Sequence, residues 1–261
     1  MSERALEIKR RLKAGEVVYS AWMTFNDSGI AEIMAGSGID VLLVDTEHTS
    51  LSLEDLQHAM AAARRWDPVV IVRVQDHDPS RIKRILDIGA DGIIAPMTMN
   101  AAQTEALVAA CKYPPVGRRG YGPRRATDYY RNADAYVGRA NEATFVIPQI
   151  EHVEAAARAT EIAAVPGVDA ICVGPMDMSG SAGVLGDWRH PKVQAGLDQV
   201  FEASRARNLA VCMGMYLPPE EQPAWVAKGA RFVIASDDLT VLRTGVARDL
   251  AETRRRLSNV P

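Results

Sequence analysis

Cysteine is scarce in this 261-residue chain. The three present, Cys111, Cys172 and Cys212, lie far apart and show none of the close pairings used by zinc sites or disulfide frameworks. Each reads as a small buried hydrophobe. No apolar run approaches the ~20 residues of a membrane span. The N-terminus mixes both signs of charge and lacks the apolar core of a secretory signal, so a cytoplasmic location is the expectation. Excess charge is also missing: a formal net charge of −3 and a pI near 6.0 leave no basic footprint for nucleic acid or an anionic membrane. A small-molecule substrate is the partner class that remains.

What is present is a rhythm. Nearly half the residues are apolar (48%) and 24% are charged, enough for a sizeable core. Short, β-branched-rich apolar runs alternate with longer amphipathic stretches, the pattern of repeated βα units around a parallel sheet. Eight strands are expected at 17–23, 41–45, 69–74, 92–97, 144–150, 170–174, 210–215 and 232–236, with helices at 53–65, 79–88, 101–111, 153–164, 193–207, 219–228 and 239–257. Most strand candidates are apolar throughout, as strands buried on both faces should be. Ser52 with Asp55 resembles a capping box, Asp78-Pro79 and Asn100 fit helix starts, and Gly89, Gly167 and Gly229 fit helix ends. The expected fold is an α/β, single-domain (β/α)8 TIM barrel over residues 1–261, with an elaborated loop at 113–130 and a C-terminal helix at 239–257. That loop carries several prolines and glycines and the arginines Arg118, Arg119, Arg124 and Arg125, and it precedes a polar helical piece around 132–141. It reads either as a solvated excursion or as a rigid basic loop over the active face, meeting an acidic substrate or a neighbouring subunit.

Barrels of this type build their sites at the C-terminal ends of the strands, so the polar residues closing each apolar run are the candidates. The second strand ends Asp45-Thr46-Glu47-His48, the third carries Arg73, the fifth ends Gln149-Ile150-Glu151, and Gly174-Pro175-Met176-Asp177 follows the sixth. Glu151 and Asp177 lie past adjacent strands, so their carboxylates can converge on a hard divalent cation with open positions. The bland alternative is that Glu151 caps a helix and Asp177 makes a turn. Arg73, on a strand of valine and isoleucine, suits a carboxylate or a developing enolate oxygen. A structural pair with Asp45 or Glu47 is the competing reading, and the two are compatible. His48 is a candidate base, with Asp87 as a candidate carboxylate partner. All six lysines, Lys9, Lys13, Lys83, Lys112, Lys192 and Lys228, fall in predicted helices or at their ends, so no Schiff-base lysine is expected.

These residues resemble the HpcH/HpaI family of class II, metal-dependent pyruvate aldolases. The segments that carry the likeness are VDTEH, VRV, LDIGADGIIAPM, YPPVGRRGYGP, PQIE, VPGVDAICVGPMDMSGSAG and FVIASDDLTVLR. The resemblance implies that Glu151 and Asp177 bind Mg2+ or Mn2+, with Co2+ and Zn2+ as further candidates. It implies that Gln149 and the backbone at Met176 and Asp177 hold pyruvate, with Asp45 and Glu47 in support. Arg73 would stabilise the enolate, His48 would be the general base with its basicity raised by Asp87, and the basic loop would shape the aldehyde end of the site. A homohexamer is implied as well. The chain departs from the family at His152, where threonine is usual, and at Met178, where leucine is usual. The implied activity is aldol cleavage and condensation of 4-hydroxy-2-oxo acids to pyruvate and an aldehyde. An acyl-CoA ester lyase of the malyl- or citramalyl-CoA type, or a non-catalytic barrel that binds a 2-oxo acid, are the alternatives.

Overall fold

The computed structural model describes residues 3–258. Its strands are β1 (Val18–Met23), β2 (Val41–Asp45), β3 (Val69–Arg73), β4 (Gly92–Ala95), β5 (Phe145–Ile150), β6 (Ala170–Val173), β7 (Ala210–Met213) and β8 (Ala230–Asp237), all parallel and closed into one barrel in chain order. Around them run α1 (Glu3–Lys13), α2 (Ser28–Gly36), α3 (Leu53–Ala63), α4 (Pro79–Asp87), α5 (Ala101–Cys111), α6 (Ala133–Ala143), α7 (Val153–Ala156), α8 (Ala159–Ala163), α9 (Pro175–Ser181), α10 (Pro191–Ala206), α11 (Gln222–Lys228) and α12 (Asp238–Leu257).

The expected (β/α)8 barrel is therefore present, and all eight predicted strands appear with shifts of a few residues at their ends. Between the strands, two helices were not foreseen. The segment Ser28–Gly36 is rich in small residues and carries little amphipathic signal, but Asp27 caps it by accepting hydrogen bonds from the N–H groups of Gly29 and Ile30. The other, Pro175–Ser181, is a short helix begun by proline. Ser52 and Asp55 do form a reciprocal capping box.

Alternation along the strands divides the core in two. Inward-facing Val41, Leu43, Val69, Ile71, Ile94, Phe145, Ile147, Phe232 and Ile234 fill the barrel, and Ala5, Ile8 and Leu12 of α1 join them from below. Gly92 leaves room for Phe145, whose Cα lies 3.1 Å from where a Cβ would stand. Outward-facing residues pack on the helices, Leu42, Val72 and Ile93 against α3 and α4, and Ile171, Val173 and Val211 against α10. Each such large aliphatic side chain contributes about 2 kcal/mol of burial. Three of the inward rows turn polar at the C-terminal end: Asp45 closes β2, Arg73 closes β3, and Gln149 is followed by Glu151 at the end of β5. Among the described residues no helix is long and apolar enough to cross a membrane.

Candidate active site

Arg73 is the hub of this upper layer. Its Nε and NH2 donate to Oδ1 and Oδ2 of Asp45, both at 2.9 Å, in the forked geometry that a guanidinium and a carboxylate share. Glu47 Oε2 lies 3.2 Å from the same Nε, and the Trp22 ring lies 4.9 Å from the guanidinium carbon. The structural pairing with Asp45 and Glu47 is present, and Arg73 stands at the barrel mouth. The pairing fixes its orientation, because register places Arg73 beside Asp45 on neighbouring strands.

Glu151 is almost wholly buried. Its Oε1 accepts the Met97 N–H at 2.6 Å and its Oε2 accepts from the Gln149 amide. Burial pushes its carboxyl up to about 7, and the nearby charges of Glu47 and Asp177 add to the rise while the two hydrogen bonds oppose it. Glu47 is likewise raised, first by burial, against the opposing pull of Arg73 and His48. Asp177 is exposed in the first turn of α9 and close enough to raise both glutamates. Gly174 permits this gathering: its Cα approaches Glu151 so closely that an added Cβ would sit 2.7 Å from the Glu151 Cβ.

Two buried polar atoms in this layer, Trp22 Nε1 and Gln149 Oε1, have no partner, and Glu47 Oε2 makes no hydrogen bond beyond its ion pairs with Arg73 and His48. Unsatisfied buried groups are costly, and an upper layer that leaves one oxygen acceptor and one donor open is arranged for something that is not protein. Among the described residues no cluster of three or more histidine, cysteine or carboxylate side chains forms a ready-made metal cage. Glu151 and Asp177 supply two oxygen donors, and two carboxylates suit Mg2+ or Mn2+, which keep water or take substrate oxygens in their other positions.

His48 is exposed at the mouth with Nε2 3.6 Å from Glu47 Oε2. It does not meet Asp87. Asp87 closes α4 and pairs with the buried Arg119 at 2.7 Å. The expected dyad is therefore absent within the chain, because α4 descends from the end of β3 to the start of β4 and leaves Asp87 at the opposite end of the barrel. The basic loop goes the same way. It lies between α5 and α6 on the way to β5, and so belongs to the N-terminal face. Arg125 donates to the carbonyl of Ile88 at 2.7 Å, and Ala126 N–H to that of Asp87 at 3.1 Å. In its own chain the loop does not cover the active face.

The two departures from the family pattern are structural. His152 caps α7, its Nδ1 accepting the Glu154 N–H at 3.2 Å. Met178 is fully buried against Gly196, where a Cβ would meet its sulfur at 2.8 Å, and so seats α9 on α10.

Sequence reasoning missed Trp22 and Met97. Trp22 reads as one more apolar strand residue, and only its inward position shows the link to Arg73. Met97 has a φ of 49°, in the left-handed region that a non-glycine residue adopts at a cost. That conformation accompanies the hydrogen bond from its N–H to Glu151, and nothing in the side chain announces it.

A parallel barrel with a guanidinium and paired carboxylates at its C-terminal mouth defines a lyase-type site for small oxo acids. The sequence profile of the HpcH/HpaI aldolase/citrate lyase family matches residues 19–244, and the chain belongs to that family. It is 36% identical over 239 residues to a 4-hydroxy-2-oxo-heptane-1,7-dioate aldolase of Salmonella paratyphi C, covering 91% of this chain and 90% of that one. It is 34% identical over 231 residues to a 2-dehydro-3,6-dideoxy-6-sulfogluconate aldolase of Pseudomonas putida, covering 88% and 90%. Among solved structures, an HpcH/HpaI aldolase/citrate lyase family protein of Burkholderia cenocepacia superposes with a TM-score of 0.90 at 30% identity, covering 95% of this chain and 99% of that one. The protein is a carbon–carbon lyase with aldol-type chemistry on 2-oxo acids.

Proposed function

We propose that the protein catalyses metal-dependent cleavage and condensation of 4-hydroxy-2-oxo acids, with pyruvate as one product and an aldehyde as the other. The observation that carries this reading is the buried Glu151 at the barrel mouth, raised by burial and by the nearby charges of Glu47 and Asp177, in the layer where Asp45 holds Arg73 and Gln149 Oε1 has no hydrogen-bond partner. Glu151 and Asp177 would hold the divalent cation. When bound, it supplies positive charge that acidifies the protons next to the oxo group. Arg73, locked by Asp45, directs a permanent charge at the oxygen that becomes negative as the carbon–carbon bond breaks. Gln149 and the backbone at Met176 and Asp177 bind the carboxylate of the oxo acid. His48 takes the proton from the hydroxyl of the leaving aldehyde and returns it in condensation, with Glu47 Oε2 3.6 Å from its Nε2. Assembly as a homohexamer is carried over from the family resemblance.

The test is exchange of the pyruvate methyl protons for deuterium, followed by NMR with and without Mn2+, together with pyruvate release from 4-hydroxy-2-oxo acids and from acyl-CoA esters. Metal-dependent exchange that is lost in Glu151→Gln, with release from the hydroxy-oxo acids alone, is expected. Undiminished exchange and turnover in chelator would remove the metal from the scheme, and release only from the thioesters would redirect the substrate assignment.

A further inference from the structure

The geometry points to a second binding site: the cleft between α4 and α5, on the flank of the barrel beside β4, takes an organic dianion and relays its occupancy to Glu151. The cleft has a volume of about 350 Å³, within the range of small-molecule sites. Part of the basic loop builds its lower end, with Arg118, Arg119 and Gly120 facing Lys83 of α4. That loop is held in a fixed shape. The N–H groups of Gly117, Arg118 and Arg119 donate to the carbonyls of Tyr113, Ala109 and Lys112 at 3.0, 2.7 and 2.9 Å. Only glycine fits at 117, where an added Cβ would overlap the Lys112 carbonyl oxygen and stand 2.8 Å from that of Ala109. Arg119 is the anchor: its guanidinium carbon lies 4.5 Å from the centre of the Tyr113 ring, and its NH2 lies 2.7 Å from Asp87.

Charge in the cleft is one-sided. None of its lining residues is acidic. Asp87 compensates Arg119, whereas among the described residues neither Lys83 nor Arg118 makes an ion pair. Gly120 brings the loop up to Lys83, whose Nζ would lie 3.9 Å from a Cβ at that position. Behind them, Nε and NH1 of the buried Arg119 have no hydrogen-bond partner, which adds unmet donors to unmet charge. Two uncompensated cations call for a compact dianionic head group, a phosphate monoester or a dicarboxylate. The remaining wall is apolar: Ala106, Ala109 and Ala110 share one face of α5 and leave a shallow floor for a hydrocarbon body.

The upper end of the cleft reaches the barrel mouth through His77. Its Nε2 donates to the Pro96 carbonyl at 2.7 Å; a carbonyl oxygen only accepts, so this nitrogen carries the proton. That carbonyl belongs to the same peptide unit as the Met97 N–H, which donates to Glu151 Oε1 at 2.6 Å. A peptide unit is planar and rigid, so turning one end turns the other. The left-handed φ of 49° at Met97 shows that this plane is held in place against its own preference. A ligand whose body displaces His77 therefore moves the hydrogen bond that fixes Glu151. The relay rests on the position of Glu151 and is independent of whether that carboxylate holds a metal.

The test needs no substrate, so its outcome is separate from that of the proposed activity. Phenyl phosphate and phenylmalonate serve as probes, one for each head group, against the full-length protein with and without Mg2+. Calorimetry should show binding of at least one. Lys83→Gln combined with Arg118→Gln should weaken it about 100-fold, since each hydrogen bond to a charged group is worth about tenfold or more. In protein labelled with 15N-methionine, the Met97 amide signal, assigned through Met97→Leu, should shift as the probe is added. His77→Leu should still bind the probe and lose that shift. Circular dichroism checks that each variant keeps its fold. Binding of neither probe, or an affinity that ignores the double substitution, overturns the site; binding that leaves the Met97 signal unmoved overturns the relay.

Discussion

Replacing Gly174 by alanine tests the site through a single methyl group. The backbone there has φ −106° and ψ 85°, which any L-residue adopts without strain, so the effect is purely steric. The new Cβ would overlap Oε2 of Glu151 and stand 2.7 Å from its Cβ and 3.3 Å from its Cδ. Carbon atoms rest comfortably at about 3.5–4.0 Å, so the Glu151 side chain must retreat by about 0.8 Å. It has nowhere easy to go, being tied to the Met97 N–H on one oxygen and the Gln149 amide on the other. Metal–ligand distances tolerate only about 0.2 Å of error, and a displacement near 1 Å at a reacting centre costs about 100-fold. Gly174→Ala should therefore lose about 100-fold in Mn2+ affinity and in turnover, while overpacking costs the fold about 1–3 kcal/mol. Paramagnetic resonance of free Mn2+ during titration gives the affinity, steady-state kinetics the turnover, and thermal circular dichroism the stability. A stable alanine variant with wild-type Mn2+ affinity would refute the assignment of Glu151 as a ligand and the claim that Gly174 positions it.

Two further outcomes follow from other parts of the chain. Arg73→Lys keeps the charge and loses the fork that Asp45 holds, so kcat should fall about 100- to 1,000-fold, and a near-normal kcat in steady-state assay would remove Arg73 from the chemistry. Lys9, under the barrel, is lowered from 10.5 to about 8 by burial, with Lys112 reinforcing the shift and Asp169 opposing it. The unfolded chain then binds more protons between those values, so stability should rise with pH from about 8 to 10.5 by about 3 kcal/mol. That gain is absent at lower pH and complete at higher pH. Denaturant unfolding across this range should show it in the natural chain and not in Lys9→Met, and parallel profiles would refute it.

The barrel was legible because its strands are buried on both faces and read as uninterrupted apolar runs, such as 41–44 and 69–72. The mouth was legible for a related reason. A polar residue at the end of such a run has to face the site or be paired, and Asp45, Arg73, Gln149 and Glu151 all obey that rule. The same logic, applied to connection type, would have corrected the placement of Asp87 and of the loop at 113–130. Both follow helices and precede strands, which assigns them to the floor of the barrel, where Asp87 meets Arg119. Met97 was beyond reach, since a left-handed backbone at a methionine has no compositional signal.

The end of the chain shows a different limit. Periodicity in 239–257 correctly identifies a helix with one apolar face, because spacing reports which residues share a face. It carries no information on what that face touches. In a barrel the default is the strand pair just completed, yet the first turn of α12 is tied by Asp238 to Thr24 and Phe25 and its stripe stays in water. Sequence pattern thus specifies the stripe as a surface and leaves open what lies against it.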